Sequence, residues 1–246
     1  YRAAASPIGL AALERYETFL AAAGLSYRRL SATEMEQELG TRFYQAGLYS
    51  PDCYLAQPAA VIRALAKGLP SAVSLYEHSP VVKLDLQCGK WRVVTPEGTI
   101  TADKVVLANN AFAAKLGFAR GQLASVYTYA GLTPRLSESV LDILGTNQDW
   151  GLLPTHRLGS TLRRTSDGRL LIRSLHDYEQ ERPASSIRSE LKSRLHSRFP
   201  QLEGVDFEYL WGGAVGFTLN GGLVWDELEP GLFAACGCNG GGTVKG

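Results

Sequence analysis

Residues 231–236, Gly-Leu-Phe-Ala-Ala-Cys, form an apolar run that leads directly into Gly-Cys-Asn-Gly-Gly-Gly at 237–242. A glycine turn straight after a buried strand lets backbone amides approach a ligand. It usually opens a helix, whose N-terminus favours anionic or electron-rich groups. A second run, Lys104-Val-Val-Leu-Ala108, has the continuous apolar character of a strand buried on both faces. Two such strands call for a layered α/β unit. The helix expected after the glycine cluster stops at Gly246 and the chain starts at Tyr1, so both ends read as cuts through a larger protein.

The rest of the chain alternates two patterns. Ser6-Pro7 starts a helix that Gly24 stops, and Ser31-Ala-Thr-Glu34 is a capping box for a short helix closing near Gly40. Residues 46–52 read as a strand ending in a turn. Gln57-Pro58 opens a third helix with Val61, Ile62, Leu65 and Leu69 on one face. From Ser71 the runs are short and β-rich, at 73–76, 80–86, 91–95, 99–102 and 104–108. Tight turns at Cys88-Gly89 and Glu97-Gly98 predict an antiparallel meander. Further strands are expected near 126–132, 159–165, 169–175 and 207–211, with helices near 137–144 and 185–199. The last of these spaces Ile187, Leu191, Leu195 and Phe199 four apart.

Composition narrows the function classes. The 246 residues, 45% of them hydrophobic, suffice for one large domain or two modest ones. Lys+Arg 25 against Asp+Glu 24 leaves no global field for a nucleic acid, so the expected partner is a small molecule. Cys53, Cys88, Cys236 and Cys238 are scattered and favour reduced thiols in a cytoplasmic setting. No apolar run approaches the ~20 residues of a membrane-spanning helix. His78, His156, His176 and His196 share no metal-ligand spacing, and Cys236-x-Cys238 is too close for a usual zinc pair, so no metal is expected. Ser160 and Ser174 lack a nucleophile-elbow context.

Four stretches in order resemble the FAD-dependent oxidoreductases of the D-amino-acid-oxidase superfamily, which contains glycine oxidase, sarcosine oxidase and the γ-glutamylputrescine oxidoreductases. They are Glu77-His-Ser-Pro-Val81-Val-Lys-Leu with the return Ala102-Asp-Lys-Val-Val-Leu-Ala108-Asn-Asn-Ala-Phe112; Asp167-Gly-Arg-Leu-Leu-Ile172; Phe199-Pro-Gln-Leu202 with Trp211-Gly-Gly-Ala-Val-Gly-Phe-Thr218-Leu-Asn-Gly221; and the terminal glycine turn. The resemblance spans nearly everything from Gly47 onward. It implies a mixed α+β and α/β chain: a partial, Rossmann-like FAD-binding domain with an inserted β-meander, and a substrate domain on a mixed, largely antiparallel sheet flanked by helices. The expected division is 1–56 and 119–212 for the substrate domain, 57–118 and 213–246 for the FAD-binding domain. The family's N-terminal GxGxxG turn has no counterpart here. The chain therefore reads as an internal fragment, inactive alone, with non-covalent FAD expected in the full-length protein.

By this resemblance the residues facing FAD are Val81, Ala108, Asn109, Gly213, Asn239, Gly240, Gly241, Gly242 and Thr243. On composition alone the glycines equally make an ordinary tight turn. The implied reaction oxidises a C–N bond of an amine or amino acid by hydride transfer to the flavin, with oxygen or a quinone as final acceptor. Where amino-acid oxidising relatives place a carboxylate-clamping arginine, this chain has Val215. Candidates for a different clamp are Arg163, Arg164 and Arg173. Strand alternation puts the first two on opposite faces, and each can instead be a solvated strand charge. Tyr49 and Tyr54 can line an amine site by cation–π contact or be half-buried sheet aromatics. His156 is the one histidine to test as an active-site group. No catalytic acid or base is assigned, and a non-catalytic binding module that has lost redox function is the rival reading.

Overall fold

A computed structural model gives the structure of the protein and describes residues 1–156 and 158–241. In chain order the elements are β1 (Arg2–Ala4), α1 (Pro7–Ala22), β2 (Arg28–Ser31), α2 (Ala32–Leu39), β3 (Ala46–Tyr49), α3 (Pro58–Lys67), β4 (Lys83–Gln87), β5 (Lys90–Thr95), β6 (Gly98–Ala102) and β7 (Val105–Leu107). A 3-10 segment, Asn110–Leu116, follows. Then come β8 (Ala124–Leu132), α4 (Glu138–Leu141), β9 (Trp150–Pro154), β10 (Thr161–Arg164), β11 (Leu170–Tyr178), α5 (Ala184–Arg198), β12 (Tyr209–Phe217), β13 (Val224–Glu229) and β14 (Leu232–Cys236). They form two compact units, each from two stretches of chain: Tyr1–Leu55 with Tyr127–Gly213, and Ala56–Val126 with Ala214–Gly246.

The first unit is built on a sheet of order β12-β8-β11-β10-β9-β1-β3-β2. Among the described pairings of β1, β2, β3, β9, β10 and β11, only β1 with β9 is parallel. Helix α5 covers one face because its four-residue spacing makes a stripe. Ile187, Leu191, Leu195 and Phe199 are buried with Leu162, Leu170 and Ile172 of the strands. Phe199 stacks on Trp150 at 6.4 Å. Each such side chain contributes about 1.5–3 kcal/mol of apolar burial. Helix α1 starts as expected, with the Ser6 Oγ accepting from the Gly9 N–H at 3.2 Å, and packs Leu13 and Leu20 against Ala4, Ala46 and Leu48. The α2 capping box is also formed: Glu34 accepts from the Ser31 N–H at 2.7 Å, and the Ser31 Oγ accepts from the Glu34 N–H at 3.3 Å.

The C-terminal end of α2 meets the turn after α4. Thr146 N–H donates to the Gln37 carbonyl at 2.9 Å and Asn147 N–H to the Glu38 carbonyl at 3.0 Å. Gly145 sits in that turn at φ +79°, and a Cβ there would lie 2.5 Å from the Glu38 carbonyl oxygen. Left-handed strain and backbone overlap add, so Gly145→Ala is expected to destabilise the first unit by about 2–5 kcal/mol. Thermal unfolding checks this: Tm should fall by roughly 5–15 °C, and a change under about 2 °C contradicts the packing described.

The second unit holds a meander, order β4-β5-β6, and a three-stranded sheet, order β13-β14-β7. In that sheet β14 and β7 run parallel with Leu232 opposite Val105 and Ala234 opposite Leu107. This is the pairing of the two continuous apolar runs. Trp91 of β5 is 1% exposed, donates its indole N–H to the Pro230 carbonyl at 3.0 Å, and meets the Phe118 ring edge-on at 6.0 Å.

Several expectations need correction. Residues 73–76 are not a strand: they pair with nothing described, and Val73, Leu75 and Tyr76 are exposed. An apolar run without a partner has no ladder to fix it. The first meander strand begins at Lys83 rather than at Pro80, helix 137–144 shortens to α4, and 207–211 becomes the longer β12. Strands β1, β2, β9 and β13 were not expected. The apolar face of α3 forms but stands exposed, Ile62 at 65%.

Candidate functional site

In the second unit the parallel strands β7 and β14 end side by side, and the carboxyl edge of such strands is where open α/β sheets bind ligands. After β7 the chain enters Ala108, Asn109 and the 3-10 segment. After β14 it enters the turn Gly237-Cys-Asn-Gly240. The side chain of Asn110 joins the two. Its Oδ1 accepts from the Gly237 N–H at 3.0 Å and the Cys238 N–H at 3.1 Å, while its Nδ2 donates to the Cys238 sulfur at 3.3 Å. Asn110 holds φ +49°, a conformation asparagine tolerates better than most residues. A Cβ at Gly216 would fall 2.6 Å from that Oδ1, so β12 supplies the space. Cys236 adds a rung, its thiol donating to the Leu107 carbonyl at 3.2 Å, and burial raises its pKa.

Asn239 closes the other side. Its Oδ1 accepts from the Thr218 N–H at 2.9 Å, and its Nδ2 donates to the carbonyls of Gly237 at 2.6 Å and Gly222 at 3.0 Å. Its backbone N–H reaches the Gly216 carbonyl at 3.0 Å. The Asn239 side chain is therefore spent inside the protein and positions the turn. What the turn offers outward is backbone: a Cβ on Gly240 would meet nothing within 4 Å.

Beside β7 lies an apolar cleft of about 250 Å³, walled by Val81, Leu84, Val93, Val106, Ala108 and Asn109 among others. Three of the sequence-predicted residues, Val81, Ala108 and Asn109, are thus brought to one cleft, and Asn239, Gly240 and Gly241 to one turn. Gly213 lies on β12 with open space beside it. Gly242 and Thr243 lie outside the described residues. Sequence reading missed Asn110 as a site residue. The run 104–108 is also not buried on both faces as expected: among the described residues β7 is an edge strand paired only with β14, and Val106 is 62% exposed.

The first unit places its candidates apart. Tyr49 packs its ring against Tyr1 at 5.0 Å, with the Arg28 guanidinium at 5.5 Å. Tyr54 is 97% exposed. His156 is exposed after β9, its Nδ1 accepting from the Leu158 N–H at 3.2 Å. Arg164 points into the packed side, 5% exposed, donating to the carbonyls of Leu144, Gly145 and Asn147 at 3.1–3.3 Å. Arg163 lies on the opposite face of β10, between Gly151 and Leu171 in register. Arg173 of β11 shares that face, half-buried, opposite Thr161. A larger polar hollow of this unit, about 1130 Å³ and lined by Glu36, Asp142, Asp167 and the clamp candidate Arg164 among others, contains none of the residues expected to face FAD.

Among the described residues no His, Cys, Asp or Glu cluster is placed to hold a metal, and no helix is long and apolar enough to cross a membrane. The FAD dependent oxidoreductase (DAO) family model matches residues 2–246. The chain is 29% identical over 219 residues to the probable oxidoreductase OrdL of Haemophilus influenzae, covering 86% of this chain and 49% of that protein. Its fold is similar to glycine oxidase from Geobacillus kaustophilus, with TM-score 0.75 and 24% identity over 96% of this chain and 64% of that one. Iminodiacetate oxidase from Chelativorans sp. BNC1 is similar too, with TM-score 0.75 and 16% identity over 96% and 65%. The chain thus spans about half the length of that curated relative, and on the match of nearly all its residues it belongs to the DAO family of FAD-dependent oxidoreductases.

Proposed function

We propose that the whole protein oxidises a C–N bond of an amine or amino acid, with the second unit holding non-covalent FAD and the first presenting the substrate. The observation that carries this is the turn after β14, locked by Asn110 at the carboxyl edge of two parallel strands beside an apolar cleft. These residues fit the cofactor. The cleft suits part of a flat, weakly polar ring system, and the turn offers backbone with no side chain in the way. Val81, Ala108 and Asn109 are the residues to hold one part of FAD, and Gly240 and Gly241 another. When bound, FAD supplies the acceptor for the two electrons leaving the substrate carbon.

The chain's own residues bind, orient and exclude water. Asn110 and Asn239 fix the turn without presenting a charge. Oxidation of an amine held in its neutral form needs no dedicated acid or base, so the absence of an assigned one is consistent with this chemistry. Two similar structures are of enzymes named for amino compounds, glycine and iminodiacetate. Oxygen or a quinone completes the cycle as acceptor.

Anaerobic titration of the full-length protein tests the reading. Flavin absorbance should bleach on adding a putrescine-like amine or a small amino acid. A flavin that no member of either class reduces contradicts C–N oxidation and favours a binding module that has lost redox function.

A further inference from the structure

We propose that β11 carries an acid-released latch: a strained bulge at Ser174-Leu175 is held closed while Arg173 donates to a neutral His176, and it loosens when that imidazole takes a proton. The device is independent of the reaction proposed above.

Regular alternation fails in the middle of β11. Leu170, Ile172 and Ser174 are buried, with Leu171 and Arg173 less so, as a strand with one covered face requires. Leu175 should then face the other side, yet it is 3% exposed next to a fully buried Ser174. Its φ is +62°, a left-handed value at the kind of position where a bulge ordinarily puts glycine. The added inward residue shifts the rest of the strand by one. Residues three apart in an unbroken strand lie on opposite faces, but Arg173 and His176 meet on the same one, with Arg173 Nη1 at 3.3 Å from His176 Nε2. Their contact exists because the bulge does.

Leucine does not favour this backbone, so its surroundings must impose it. On the buried side the Ser174 hydroxyl accepts from the Ser160 hydroxyl at 2.9 Å and from Arg194 Nη1 at 3.3 Å. The Thr128 hydroxyl donates to the Ser174 carbonyl at 3.3 Å. On the open side Arg173 is aimed by the Thr128 hydroxyl at 3.3 Å and the Thr161 hydroxyl at 2.8 Å. The bond from Arg173 to His176 spans the bulge and closes it.

That bond depends on protonation. Arginine only donates, so Nε2 is the unprotonated nitrogen of a neutral ring. The charged groups that act on His176 are Arg173 and Asp177 of β11 and Arg194 of α5, while Thr128 of β8 and Thr161 of β10, beside the pair, carry no charge. Burial first, then Arg173 and Arg194, hold the His176 pKa below its ordinary value, and Asp177 opposes them. A proton on Nε2 removes the acceptor and sets two cations 3.3 Å apart. The unfolded chain takes that proton more readily than the folded one. The latch therefore contributes its full stability above the ordinary histidine value and loses it as pH falls from there towards the lower folded value.

Hydrogen exchange of the full-length protein with its cofactor tests the latch, read by mass spectrometry at about pH 7.5 and about pH 5.5 and corrected for intrinsic rates. In the wild type, peptides covering residues 174–178 should exchange at least about tenfold faster at the lower pH, whereas His176→Gln, which gains no charge, should exchange alike at both. Wild-type exchange that does not change with pH, or a change that His176→Gln retains, overturns the latch. Titration of labelled histidine by NMR gives a second readout that does not rely on that variant. His176 should titrate with a midpoint below ~6.5, and Arg173→Met, which removes the nearest cation, should raise it. A midpoint at or above ~6.5, or one that Arg173→Met leaves in place, also overturns the latch.

Discussion

Asn110→Gly is expected to weaken FAD binding by the full-length protein about ten- to a hundredfold. Glycine adopts the φ of +49° without strain, so the variant removes the side chain and leaves the backbone geometry available. It strands the N–H groups of Gly237 and Cys238, which both donate to Asn110 Oδ1. A buried donor left without an acceptor costs about 1–3 kcal/mol, and 1.4 kcal/mol is tenfold in affinity. Asn110→Asp keeps the acceptor and should retain most of the affinity. Titrating apoprotein with FAD and following flavin fluorescence checks both variants. Equal affinity for wild type and Asn110→Gly contradicts the role assigned to this residue.

Trp91→Ala should cost the second unit about 3–5 kcal/mol, a value typical of removing a fully buried large aromatic. The indole carries apolar contact with the core around Leu84, Leu107 and Leu232, the edge-on ring of Phe118, and the hydrogen bond to Pro230. It therefore ties the meander to β14, the strand that leads into the Gly237–Gly240 turn. Trp91→Phe keeps most of the volume and loses the bond, so it should cost nearer ~1 kcal/mol. Proteolysis under native conditions resolves the two, with faster cleavage inside 56–126 for the alanine variant. Equal cleavage of wild type and Trp91→Ala contradicts the packing.

Much of this was legible in the sequence because local signals and tertiary demands agree there. Ser6-Pro7, the Ser31 to Glu34 box and the four-residue stripe of α5 each specify one outcome, and each forms. The two continuous apolar runs pair as parallel strands for the same reason. Where the signals conflict, reading failed. Arg2-Ala-Ala is three residues that favour helix, yet pairing with β3 on one side and β9 on the other holds it extended. Trp150-Gly-Leu-Leu-Pro154 carries two strand breakers and is a strand because β1 and β10 flank it. The site divides in the same way. Apolar strands and glycines mark its position, but the lock that shapes it is one asparagine 127 and 128 residues away from its partners, which no local pattern encodes.

The most direct measurement is the absorbance spectrum of the full-length protein, as purified and after incubation with FAD, between roughly 350 and 500 nm. The account predicts a flavin spectrum that persists through desalting and is lost on denaturation, as non-covalent FAD requires. A colourless protein that cannot be reconstituted with FAD would contradict it.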